Sequence, residues 1–250
     1  MSHWKKLVIL LGASFLLNAC QKKSLQVVRF EEDNIEVQID STTENTLGFL
    51  DSLLLPYQDL LLDSMTQPIA QVKEDLLKAG ANGKLGILMS KAMINRAEAR
   101  LSQKIDCAFM NTGGIRVPVL KAGPLALGRV YELMPFDNYL VVLEIPGDSL
   151  QKVLDVIARK GGWPAYGLSY KIDDDGATDI EIDGMPINGQ QLYQVALSDY
   201  IANGGDKMTI LKQFEQKNTG LGLRDAFIEY FIRIHQSGQA IMPDPHIVLR

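Results

Sequence analysis

An α+β fold with layered helices and mixed β-sheets is what three observations predict for this chain of 250 residues. Apolar stripes of helical period alternate with short β-type runs from residue 85 to residue 160. Paired β-type runs and a further one follow between 168 and 197, and an amphipathic segment at 224–236 closes the pattern. An apolar content of 46% against 22% charged residues is enough for a substantial core. The formal net charge of −5 argues against nucleic acid as a partner, because such binders present a basic face to the phosphates.

Taken in order, residues 1–19 read as an export signal. Lys5 and Lys6 precede the apolar run Leu7–Leu17, which is too short for an easy membrane span, and Asn18-Ala19 leads into Cys20. A small residue before cysteine is similar to a bacterial lipoprotein signal; the resemblance implies lipid on the Cys20 sulfur and a membrane-held, extracytoplasmic protein, periplasm-facing. An ordinary secretion signal and a buried apolar helix are the alternatives. Residues 20–44 then form a polar tether and two short strands, 27–30 and 35–39, around Asp33-Asn34. The main domain is placed at 45–250. Ser41-Thr-Thr-Glu44 supplies a helix start, Leu47, Leu50 and Leu54 share a face before Pro56, and Leu60, Leu61 and Met65 continue an apolar stripe.

From Leu85 to Leu101 the positions Leu88, Met89, Ala92, Met93 and Ala97 describe a helix whose methionine-rich face belongs to the core. A strand at 105–110 follows, in which Cys107 is a buried small hydrophobe; with Cys20 lipidated it has no disulfide partner. Next come a turn at 112–114, a short helix around 128–133, a strand at 139–145 and a helix at 148–159 ended by Gly161-Gly162. Leu168–Ile172 and Thr178–Ile182, joined by Asp173-Asp-Asp-Gly176, read as a hairpin, and a strand at 193–197 continues the antiparallel hairpin pattern through 168–197. Pro243 and Pro245 suggest a loose tail.

Three separated clusters carry the chemistry: Asn111-Thr-Gly-Gly-Ile-Arg116, Met134-Pro-Phe-Asp-Asn138 and Asp199-Tyr-Ile-Ala-Asn-Gly-Gly-Asp206. Two aromatic rings can sandwich a base, a carboxylate accepts from vicinal ribose hydroxyls, and a guanidinium holds phosphate or base acceptors through two parallel bonds. Each cluster has an alternative reading as well. Gly113-Gly114 can be a plain turn with Arg116 solvated, Phe136 and Tyr200 can be core, and Asp206 can cap a helix.

With their flanks, Cys107–Arg116, Gly128–Phe136, Tyr139–Leu150 and Tyr193–Asp206 resemble the C-terminal, substrate-recognition domain of the 5'-nucleotidase and UDP-sugar hydrolase family, over residues 45–240. The resemblance implies that Asn111 and Arg116 touch the nucleotide, that Phe136 and Tyr200 clamp the base with Asn138 beside them, that Asp206 binds ribose, and that Gly167 adds a backbone contact. Tyr200 stands where the family commonly has phenylalanine. The family's phosphate-contacting arginines before the Leu-Gly helix start have no counterpart in Ala81-Asn-Gly-Lys84, and a lysine lacks the fork geometry.

Full-length family members also carry a metallophosphatase domain with two metal ions. Here the histidines are His3, His235 and His246, without metal-ligand spacing, and no nucleophile set is present. No cofactor and no catalytic residue are therefore expected in this chain, which should be inactive alone. Divalent metals are expected in a separately encoded metallophosphatase that acts with it on nucleotides or nucleosides. The alternative is a lipid-anchored binding or scaffold protein that has lost nucleotide affinity.

Overall fold

The computed structural model describes residues 62–250. The expected signal, Cys20, the strands at 27–30 and 35–39 and the stripe from Leu47 through Leu61 lie outside the described residues. Twelve strands are named here: β1 Pro68–Val72, β2 Leu76–Leu77, β3 Cys107–Phe109, β4 Val119–Leu120, β5 Gly123–Ala126, β6 Tyr139–Pro146, β7 Ala165–Tyr166, β8 Leu168–Ile172, β9 Ala177–Ile182, β10 Met185–Pro186, β11 Leu192–Ser198 and β12 Gln216–Gly222. The α-helices are α1 Lys84–Leu101, α2 Leu127–Leu133, α3 Gly147–Ala158, α4 Asp199–Ala202 and α5 Leu223–Gln236.

A five-stranded mixed sheet in the order β12-β6-β11-β3-β7 forms the centre. Strand β11 runs parallel to β3 and antiparallel to β6, and β3 runs antiparallel to β7. Leu140, Val141, Val142 and Leu143 are buried in succession on β6, so both faces of this strand are covered. Helices α1 and α5 pack on each other and on the sheet, while α3 packs against β6 and β9. Phe109, Val141 and Leu143 are all buried, and the buried side chains form one core on both sides of residue 163. This is the layered α+β architecture that the sequence predicts.

Local chemistry explains the helix limits. Helix α1 follows an extended Gly83 and ends at Ser102, which turns left-handed (φ 53°) while its N–H bonds the Glu98 carbonyl at 2.9 Å. Its methionines Met89 and Met93 are in the core as expected. Helix α3 ends where Gly161 (φ 83°) donates to the Ala158 carbonyl and Gly162 (φ 86°) to that of Ile157. Cys107 is buried, and burial pushes its thiol far above the ordinary value, so it is inert as a nucleophile.

Two expectations need correcting. Strands β8 and β9 do form the hairpin, with β10 on its edge, but β11 leaves it and inserts between β6 and β3 of the central sheet. Its run Val195, Ala196, Leu197 is buried on both faces, which a central strand satisfies and a hairpin edge does not. The tail is not loose. Ile241 bridges Val72, Leu249 bridges Tyr170, and the Asn82 Oδ1 atom accepts from the N–H groups of Val248 and Leu249 at 2.9 and 3.0 Å. His246 lies half-buried in the tail, its Nε2 2.8 Å from the Leu168 carbonyl, and Lys91 and Asp244 pair at 2.5 Å.

Candidate functional site

The strand order brings the three sequence clusters together. Because β3 and β11 are parallel, the segments that follow them, starting at Met110 and Asp199, leave by the same edge of the sheet. Strand β6 is antiparallel to β11, with Leu140 opposite Ser198, so the segment 134–138 arrives at that edge too.

After β3, Asn111 precedes the tight turn Thr112–Gly114, whose Gly114 N–H donates to the Asn111 carbonyl at 2.9 Å. The Asn111 side chain folds back over this turn: a Cβ on Gly114 would lie 2.9 Å from its Oδ1 and 3.0 Å from the Met110 Cε. Asn111 is thus buried, and its Nδ2 donates to the Asp206 Oδ2 at 2.7 Å. Arg116 is exposed, bonds the Gly113 carbonyl at 3.3 Å, and sets its guanidinium 5.2 Å from the centroid of Phe136. Phe136 is half-buried, anchored at its base by the core.

On the third segment, the Ser198 Oγ accepts from the Ile201 N–H and caps α4, which presents Tyr200 at 46% exposure. Gly204 (φ 89°) reverses the chain, and Asp206 follows in the left-handed region (φ 50°). The Tyr200 hydroxyl lies 3.3 Å from the Asp206 Oδ1. One carboxylate oxygen is therefore met by an amide and the other by a phenol, which leaves lone pairs on both for a ligand. Asp206 caps no helix in this arrangement.

These side chains line one cavity of about 330 Å³, a volume that fits a small ligand. Asn111, Arg116, Phe136, Asn138, Tyr200 and Asp206 all face it. Of its lining residues, Arg116 and Asp206 are the charged ones. Sequence reasoning did not single out Met110, Met134, Ser198 and Leu223, which supply a largely apolar floor. Met110, Met134 and Ser198 stand inside the quoted motifs and were within reach; nothing around Leu223 signals its place.

The structure does not bring Gly167 to this cavity. Strand β7 is antiparallel to β3, so Gly167 lies beside Asp106 at the opposite edge, on a separate cavity of about 230 Å³ with Tyr166 and His246. A Cβ there would be 2.3 Å from the Asp106 carbonyl oxygen, and φ is 79°; close backbone packing explains this glycine. Lys84 does not line the 330 Å³ cavity either, because its ammonium bonds the Asp244 carbonyl at 3.0 Å. Among the described residues no three His, Cys, Asp or Glu side chains gather so as to hold a metal ion.

A sequence profile described as "5'-nucleotidase, C-terminal domain" matches residues 68–213, more than half of the chain and all three clusters. The chain belongs to this family. It is 31% identical over 127 residues to the Yersinia enterocolitica Protein UshA, covering 49% of this chain and 22% of that protein. It is 26% identical over 190 residues to the Bacillus subtilis Endonuclease YhcR, covering 72% of this chain and 14% of the relative. The chain thus spans less than a quarter of the length of these two relatives. Among solved structures, the 5'-nucleotidase precursor from Thermus thermophilus superposes with a TM-score of 0.68 at 25% identity, covering 81% of this chain and 43% of that one. The NAD nucleotidase of Haemophilus influenzae shares the fold, with a TM-score of 0.62 at 16% identity, over 85% of this chain and 45% of that one.

Proposed function

We propose that this 5'-nucleotidase C-terminal domain recognises a nucleoside or nucleotide and acts with a separately encoded metallophosphatase in nucleotide hydrolysis outside the cytoplasm, held to a membrane through lipid on Cys20. The observation that carries the reading is the meeting of Phe136, Tyr200, Asp206, Asn111 and Arg116, nominated from three distant segments, around one cavity of about 330 Å³. The base enters between the rings, the Asp206 carboxylate accepts from the ribose hydroxyls, Asn138 meets the base edge, and Arg116 faces the phosphate end. Activating water for attack on phosphorus needs a metal-ligand cluster, which this reading assigns to the partner. Relatives named as 5'-nucleotidases support the reaction class.

The ties that occupy Lys84 favour a second reading for the phosphates: nucleoside affinity without strong phosphate recognition. Calorimetric titration of the purified chain with adenosine, AMP and UMP, followed by phosphate-release assays with and without an exported metallophosphatase, tests both. Saturable binding, with turnover only in the mixture, is expected. Metal-dependent turnover by the chain alone would refute the division of labour, and no binding of any of the three would promote the scaffold alternative.

A further inference from the structure

Asn111 and Tyr200 hold the Asp206 carboxylate, but the backbone that carries it is in an unfavourable state. Asp206 (φ 50°, ψ 33°) and Lys207 (φ 67°) are consecutive left-handed residues, neither of them glycine. A Cβ disfavours that conformation, so the turn persists only under restraint from its surroundings.

The restraint comes from the end of α3. Lys160 stands two residues beyond that helix, its N–H bonded to the Ile157 carbonyl at 3.0 Å. Gly161 and Gly162 then reverse the chain and return the buried Trp163 beneath the lysine, with the ammonium 5.4 Å from the Trp163 ring centroid. Braced in this way, the Lys160 Nζ donates to the carbonyl oxygen of Asp206. The partner is a backbone carbonyl rather than a carboxylate, and the next residue, Lys207, is itself cationic. Charge pairing therefore does not account for the contact; geometry does.

We propose that Lys160 is a positioning residue for the site: held on Trp163, it grips the Asp206 carbonyl and fixes the left-handed turn that aims the Asp206 carboxylate into the cavity. This rests on the reading of Asp206 as the ribose contact. The sharpest consequence is selectivity. Loss of the Lys160 donor weakens ligands that use the ribose hydroxyls and spares ligands that lack them.

Lys160→Met keeps the stem over Trp163 and removes the donor, and Lys160→Arg restores one. The experiment measures dissociation constants of adenosine and 2',3'-dideoxyadenosine by calorimetry, and hydrogen exchange of the amides at 204–208 in the free chain. For Lys160→Met the expected results are faster exchange and adenosine binding weakened about three- to tenfold, with dideoxyadenosine changed by less than about twofold. Lys160→Arg should return both readouts toward the native values. Equal weakening of the two nucleosides, or native exchange with native affinity, overturns the proposal. If the native chain fails to prefer adenosine, the ribose reading itself has failed, and exchange decides alone: unchanged rates overturn the role of Lys160, faster rates keep it as the holder of the turn.

Discussion

Gly205→Ala is a severe test of how the third segment is built. A Cβ at Gly205 would lie 2.5 Å from both Cε1 and Cζ of Tyr200 and 2.6 Å from the Tyr200 carbonyl oxygen. Carbon atoms rest at about 3.5–4.0 Å, so the ring must retreat by about 1 Å or more, and the backbone oxygen cannot yield as a side chain does. The Tyr200 hydroxyl is already 3.3 Å from Asp206, so that retreat breaks the bond and moves one wall of the cavity. Overpacking of this kind costs about 1–3 kcal/mol. For a chain of this size each kcal/mol lowers the unfolding midpoint by about 2–4 °C, which gives a fall of about 2–12 °C. Nucleoside affinity should drop about tenfold, from one displaced ring and one lost hydrogen bond. Circular dichroism melts and calorimetry on Gly205→Ala, Tyr200→Ala and the double variant check this. The double variant should be more stable than the sum of the singles predicts, by more than about 0.5 kcal/mol, because the ring clash is gone. A native-like Gly205→Ala, or strict additivity, would refute the packing argument.

Further outcomes follow from other parts of the molecule. Gly167→Ala should destabilise by about 2–4 kcal/mol, through its positive φ and its contact with Asp106, yet leave nucleoside affinity within about twofold; a selective loss of binding would return this glycine to the site. Asp244→Asn should cost about 1 kcal/mol at neutral pH. Burial opposes ionisation of Asp244, but hydrogen bonds from Lys91 and from the His246 N–H outweigh it and hold the carboxyl below the usual aspartate value. A depressed pKa stabilises above the unfolded value and is lost as pH falls through the folded one, so urea titrations of native and Asp244→Asn chains should stand apart above about pH 4, the ordinary aspartate value, and converge as the pH falls below it. A constant gap across that range would contradict the pairing. Cys20→Ser should abolish lipid attachment by mass analysis of the membrane fraction; an unmodified native chain in the soluble fraction would sink the anchor.

What the sequence made legible was the local chemistry of single segments. The stripe of α1, the glycine stop of α3 and the Asp173–Gly176 turn each follow from a few neighbouring residues, and each is found within a residue or two of its predicted place. Strand β12 was not legible, because Gln216–Gly222 is polar with two glycines and pairs with β6 through an irregular register. The strands of two residues, β2, β4, β7 and β10, and the proline-containing β1 and β5 carry too little pattern to register. The convergence of the three clusters depends on β11 lying between β6 and β3, a long-range order that no local period encodes. Residue types alone suggested the contents of the site, and the family resemblance supplied their grouping. Gly167 shows the limit: a glycine required for backbone packing reads the same in sequence as one required beside a ligand.

Calorimetric titration of adenosine into the native chain and into Phe136→Ala bears most directly on the central claim, that the cavity between Phe136 and Tyr200 holds a nucleoside base. Aromatic stacking contributes on the order of 1 kcal/mol beyond area burial, so the account predicts saturable one-to-one binding that weakens at least several-fold in the variant while circular dichroism shows the variant still folded at the titration temperature. Native binding that Phe136→Ala leaves unchanged, or no binding to the folded native chain, would contradict it.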